Sequence, residues 1–245
     1  MPNTKRWILL RGLARGRGHW GSFAELIQKN FSDCEFEFID LPGNGERYQE
    51  QSFTRVTDFV KDLRAQSKFV QEGKPFNVLA VSLGAMITVE WMREFPHEVQ
   101  KAVLICTSSS NFSPFYQRYQ MKNYAQSFLL AFEGDPIRWE KRVLEMITNN
   151  HVRREAEFMA LAQYSKQHPV QIKNIFRQLM AAAQYRFPEK APGDIRIIGS
   201  YGDRLVSPQC SLEIGKAWGL EPIMHAWAGH DIPIDDPSWL IEYLL

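Results

Sequence analysis

Three side chains far apart in this sequence, a serine, an aspartate and a histidine, each follow a short apolar run and could together perform nucleophilic chemistry. Ser82 lies in Phe76-Asn77-Val78-Leu79-Ala80-Val81-Ser82-Leu83-Gly84-Ala85-Met86. A run rich in β-formers meets the serine, and a helix-favouring stretch reaching Phe95-Pro96 follows at once. The spacing predicts strand, sharp turn and helix with Ser82 at the apex. Ala80 and Gly84 stand two residues away on either side, where strand and helix approach closely and a small residue is needed. A helix N-cap serine after a strand would look similar locally.

Asp203 lies in Ile195-Arg196-Ile197-Ile198-Gly199-Ser200-Tyr201-Gly202-Asp203, a strand running into a Gly-Asp loop. His230 lies in Ile223-Met224-His225-Ala226-Trp227-Ala228-Gly229-His230, a strand followed by Gly-His. A serine hydroxyl is a weak nucleophile until a base accepts its proton. His230 would be that base, and Asp203 would orient the ring and stabilise the imidazolium. Rivals exist for each. Asp194 and Asp231 compete with Asp203, which strand context favours. His225 falls inside a strand pattern and is expected to pack against the sheet. His19, His97, His151 and His168 do not follow a strand, although the loop carrying His19 could bring it near a cleft. A developing oxyanion needs donors placed beforehand. The backbone N–H groups of Leu83, just after the serine, and Leu13, in the loop after the first strand, are the candidates.

Positioning these groups requires a sheet. Candidate strands fall at 7–10, 36–39, 76–81, 102–106, 195–198 and 223–227, and helical stretches near 20–30, 54–71, 83–95, 208–218 and 237–245. Their alternation predicts a parallel sheet covered on both faces, with right-handed crossovers. The rhythm breaks between Ser108 and Pro192, a long, helix-favouring span full of aromatics. A structureless loop of that length is unexpected. It reads as an inserted helical cap of about four helices. The division is a core of 1–110 and 191–245 with a cap of 111–190. Most cap aromatics would form its own core and a few would line a cleft beneath it.

These features, in this order, resemble the α/β-hydrolase superfamily over essentially the whole length. The nucleophile elbow of that family is G-x-S-x-G, with Ala80 standing here for its first glycine, and the order serine, acid, histidine is the family's own. Leu9-Leu10-Arg11-Gly12-Leu13 is similar to its oxyanion strand and loop, and Asp40-Leu41-Pro42-Gly43-Asn44-Gly45 to its D-x-P-G-x-G loop. The resemblance implies a mostly parallel, doubly wound sheet of about six strands with an inserted helical cap. It also implies catalysis by Ser82, Asp203 and His230 and an oxyanion hole at Leu13 and Leu83, without a metal or organic cofactor. One departure is Arg11, where many relatives carry histidine. It could support the oxyanion loop by another hydrogen bond, reach for an anionic group, or belong with Arg15 and Arg17 to a solvated basic loop.

The compact sheet and cap placement are similar to the small carboxylesterases that include pimeloyl-acyl-carrier-protein methyl ester esterases. That likeness implies a small-molecule carboxylic ester as substrate, with an acidic acyl-carrier protein as a candidate partner. Residues 111–190 hold twelve basic and seven acidic residues, a balance of +5 against +1 for the chain. Arg138 and Arg142 share a helix face and could receive such a carrier. A solvated face with Glu140 and Glu145 as local partners is the plainer alternative. Three rival functions remain open: a lyase using the same triad, a silent fold that only binds, and a dinucleotide enzyme. The last rests on Gly16-Arg17-Gly18-His19-Trp20-Gly21 with Asp40 beyond it. Five residues separate Leu10 from Gly16, which argues against the tight turn that fingerprint needs.

Composition sets the outer bounds. The chain has 245 residues, 44% of them apolar and 23% charged, as in ordinary globular proteins. A net charge of +1 argues for neither nucleic acid nor membrane binding. No apolar run approaches the ~18 residues of a membrane span, and the run after Lys5-Arg6 is too short for a signal peptide. Cys34, Cys106 and Cys210 suggest neither a disulfide framework nor a zinc site, and a reducing, cytoplasmic setting is expected.

Overall fold

A computed structural model describes residues 5–244. Met1 to Thr4, the opening of the stretch judged too short for a signal peptide, and Leu245, the end of the expected last helix, lie outside the described residues. The first half of the fold runs β1 (Arg6–Leu10), α1 (Phe23–Asn30), β2 (Glu35–Ile39), α2 (Val56–Gln66), α3 (Lys68–Gln71), β3 (Phe76–Val81), α4 (Leu83–Glu94) and β4 (Val99–Ile105). A purely helical segment follows: α5 (Phe115–Arg118), α6 (Tyr124–Ala131), α7 (Pro136–Ile147), α8 (His151–Gln167) and α9 (Ile172–Gln184). The chain then closes with β5 (Asp194–Ser200), α10 (Pro208–Trp218), β6 (Ile223–His225), α11 (Ile232–Asp235) and α12 (Pro237–Glu242).

The six strands form one sheet in the order β2-β1-β3-β4-β5-β6, every pairing parallel. The central strand β3 is buried at all six positions, as a strand covered on both faces must be. Alternate residues feed the two sides. Ile8, Leu10, Val78, Ala80 and Leu104 pack with Phe59, Leu63 and Trp91 of α2 and α4. Trp7, Leu9, Leu79, Val81 and Val103 pack with Phe23, Ile27 and Leu240 of α1 and α12. A third, smaller core joins Leu144, Ile147 and Leu161 of the helical segment to Ile234 of α11.

Three elements depart from the sequence expectation, each for a local reason. The helix expected over 54–71 is two helices, because Ser67 turns to an extended conformation and its hydroxyl accepts from Val70 N. The helix expected from Trp20 starts at Phe23, because Gly21 takes a φ of +53° and 17–20 close a 3-10 turn. The strand expected through Trp227 stops at His225, whose Nδ1 accepts from the amides of Trp227 and Ala228 and removes both from the ladder.

Candidate active site

The carboxyl end of the sheet gathers the groups singled out in sequence. Ser82 follows β3 directly and adopts φ 55°, ψ −113°, a left-handed conformation that costs of order 1–3 kcal/mol and persists only where its surroundings enforce it. They do so from both sides. Its N–H extends the β3–β4 ladder to Ile105 O at 2.9 Å, and its carbonyl accepts from Ala85 N, Met86 N and the Thr107 hydroxyl. Close approach selects the glycines around it. A Cβ on Gly84 would lie 2.7 Å from Arg11 O and 2.8 Å from Leu10 O, and one on Gly12 would lie 3.0 Å from Ser82 Cβ. Ala80 is fully buried in β3 opposite Leu10, so the extra methyl group relative to glycine fits in the sheet.

Asp203 and His230 meet from the loops after β5 and β6. His230 Nδ1 lies 2.8 Å from Asp203 Oδ2, and both residues are buried. The other carboxylate oxygen accepts from Leu205 N at 2.8 Å and Val206 N at 2.9 Å. A carboxylate so placed accepts from Nδ1–H and leaves Nε2 of the neutral ring with a free lone pair. Cys106 stands behind the pair, with its sulfur among ligand-type atoms of Asp203 and His230 that all lie within 4.8 Å of one another. Burial, and then the neighbouring Asp203, push its thiol well above the usual range. A protonated thiol and a carboxylate already accepting three hydrogen bonds are poor metal ligands.

Ser82, Leu83, Leu13 and His230 line one cavity of about 410 Å³. Leu83 is the first residue of α4, so its amide has no carbonyl within the helix to bond. The loop carrying Leu13 is fixed by its neighbours. Ala14 N donates to Gln178 Oε1 of α9 at 2.9 Å, and Asn44 Nδ2 donates to the carbonyls of Gly12 and Arg15. Gln178 Nε2 in turn donates to Asn44 Oδ1 and to Ser52 Oγ, both at 2.8 Å. The rest of the wall is mostly apolar, with Met86, Tyr119, Trp139, Ile147, Ile175 and Val206 contributing.

The other sequence candidates lie elsewhere. His225 is buried against Trp239 and bonded to its own strand end and to Asp236. His19 accepts from Gly16 N and meets Ser165 Oγ at 2.9 Å. Arg138 and Arg142 do not line the cavity. Both engage Glu133, at 3.1 and 3.6 Å, with Arg138 largely exposed and Arg142 half-buried. The local partner expected for them, Glu140, instead lies fully buried and receives Arg15 Nη1 on both oxygens at 2.8 and 2.7 Å. The residues of the apparent dinucleotide fingerprint are also spent: Asp40 accepts from Arg17 N and Glu46 N, closing its own loop.

Of the three roles the sequence left open for Arg11, the structure shows a hydrogen-bonded one within the protein. Its guanidinium makes a two-pronged bond to Asp231, Nη1 to Oδ1 at 3.0 Å, and lies over Trp20. Asp231, weighed in sequence only as a rival acid, is the partner of Arg11, whereas Gln178 and Arg118 were not singled out and come from distant parts of the chain.

The sequence matches the model of the alpha/beta hydrolase family over residues 7–242, and the chain belongs to that family. Solved structures share the fold at low identity. A 2-hydroxy-6-oxo-6-phenylhexa-2,4-dienoate hydrolase from Rhodococcus sp. strain RHA1 is 18% identical with a TM-score of 0.74, covering 100% of this chain and 90% of that one. The esterase RhEst1 from Rhodococcus sp. ECU1013 is 16% identical with a TM-score of 0.70, covering 98% and 88%. A thermophilic esterase from Thermogutta terrifontis is 12% identical with a TM-score of 0.70, covering 98% and 88%. Comparison with curated protein sequences gives no match. No helix among the described residues is long and apolar enough to cross a membrane.

Proposed function

We propose that this chain is a serine carboxylesterase acting on small esters of short or medium acyl chains. The observation that carries the reading is the 2.8 Å Asp203–His230 pair opening onto the same apolar cavity as Ser82 at its strained turn. In this mechanism Ser82 Oγ attacks the ester carbonyl while His230 Nε2 takes its proton. Asp203 stabilises the imidazolium that forms. The amides of Leu13 and Leu83 receive the oxyanion, and losing one such donor typically costs about 3–4 kcal/mol in the transition state. His230 returns the proton to the departing alcohol. Water, deprotonated by the same ring, then frees the acid from the acyl-enzyme. Residues 111–190 act as a cap over the acyl cavity, and residues 1–110 and 191–245 supply the catalytic groups. An acyl-carrier protein as partner gains no support from Arg138 and Arg142, whose charges are paired locally with Glu133 and Asp135.

The test is Ser82→Ala together with labelling of the unaltered protein. Turnover of p-nitrophenyl hexanoate should fall by about a thousandfold or more, as loss of a triad member does, with the thermal midpoint unchanged. A fluorophosphonate should add to Ser82, as read by peptide mass. Full turnover in the alanine variant, or labelling at another residue, rules the assignment out.

A further inference from the structure

Three arginines line the cavity: Arg11, Arg15 and Arg118. Two of them have a buried carboxylate, Arg11 in Asp231 and Arg15 in Glu140. Among the described residues Arg118, at the end of α5, has none. There its guanidinium bonds neutral acceptors alone: Nε to Ser108 Oγ at 3.3 Å, Nη1 to Ala183 O at 3.1 Å and Nη2 to Ala182 O at 2.5 Å. These are carbonyls of the last turn of α9, whose partial negative charge offsets a cation only in part. Five N–H donors in a fixed fork meet three acceptors, so two remain for another group. Burial already lowers the pKa of this arginine, the mark of a charge held without a full partner.

A half-buried guanidinium that lines the cavity and meets only neutral acceptors can offer an anion both its charge and its remaining donors. From this contrast we infer that Arg118 recognises a carboxylate carried by the ester, so that the preferred substrate is an anionic ester such as a dicarboxylic acid half-ester. The anchor lies on the β4 side of the cavity. Ser108, which Nε contacts, is the next residue after Thr107, and the Thr107 hydroxyl bonds the Ser82 carbonyl at 3.0 Å. The apolar lining of the same cavity offers surface for the chain. The two arginines with counter-ions stay structural, and Arg118 selects. The inference deepens the esterase reading and rests on it for turnover, but the binding it describes does not depend on Ser82 as nucleophile.

The experiment compares Arg118→Met with the unaltered protein on matched pairs. Monomethyl adipate is set against methyl hexanoate, and the hexanoic ester of glycolic acid against ethyl hexanoate, so that the carboxylate rides on either side of the ester. KM for at least one anionic member should rise tenfold or more in Arg118→Met, with kcat and both neutral esters changed less than twofold. Arg118→Lys should recover part of the loss. Adipate binding to Ser82→Ala protein, read by calorimetry, should weaken in the Ser82→Ala/Arg118→Met double variant. Equal changes on charged and neutral esters would mark Arg118 as only a cap on α9 and overturn the inference. If the half-esters are not turned over but adipate still binds through Arg118, the esterase reading fails and the anion site stands.

Discussion

The guanidinium of Arg11 and the carboxylate of Asp231 are 3% and 1% exposed, so each depends on the other for nearly all of its solvation. Removing one partner of such a pair typically costs 3–5 kcal/mol, whereas replacing both by apolar groups is often neutral. Arg11→Met should therefore lower the urea midpoint strongly, and Arg11→Met with Asp231→Leu should restore most of it. A double variant no more stable than the single one would mean that the loss does not come from a carboxylate left without its cation. Because Asp231 follows His230 and Arg11 precedes Gly12, this bond also ties the histidine loop to the loop under the nucleophile. Nothing local in the sequence marks it, since the partners stand 220 residues apart. The positions of Ser82, Asp203 and His230 were legible because each follows a strand end and has a small neighbour. Arg118 was not, because a missing counter-ion is visible only once neighbours are known.

At the scale of elements, the strands were readable from their apolar runs, and errors arose where a single side chain ends a run. Ser67 and His225 do so by capturing amides that the element would otherwise use. The loop 11–16 shows the same logic applied to function. It has no ladder of its own and takes its shape from Gln178 and Asn44. Gln178→Leu keeps the bulk but orphans Ala14 N and Asn44 Oδ1 and removes one of the two hydrogen bonds of Ser52 Oγ. On the esterase reading, kcat should fall about tenfold to a hundredfold, or ~1.4–2.7 kcal/mol, with KM changed less. Steady-state kinetics at matched folded fraction decides it, and an unchanged kcat would mean that the loop holds its place without α9.

At the scale of the whole molecule, the loop after β1 is joined to helices α7 and α8 by a buried polar chain running Gly16 N, His19, Ser165, Glu140 and Arg15. Burial and then Arg15 lower the His19 pKa from 6.5 to about 4. Burial would raise the Glu140 carboxyl, but Arg15 and His19 more than offset it and hold it well below the usual range. Both shifts act in the same direction. As pH falls, the unfolded chain takes up a proton at His19 near 6.5, before the folded protein does near 4. Stability is full above that window and declines through it, by up to about 3 kcal/mol for His19. Urea unfolding between pH 7 and 4 should show this slope, and His19→Gln should flatten it. A slope unchanged by that variant would place the acid sensitivity elsewhere. Sequence patterning identified the helical insertion because strands are missing from it, but it could not reveal this chain, whose members come from separate segments.

One consequence concerns how such proteins can be recombined. Insertions above a conserved sheet invite transplantation between relatives to exchange substrate range. Here the loop after β1 carries an enclosed cation whose matching acid sits on α7. A foreign insertion would have to bring its own acid to that spot, or the recipient would have to lose Arg15, before the hybrid could be expected to close.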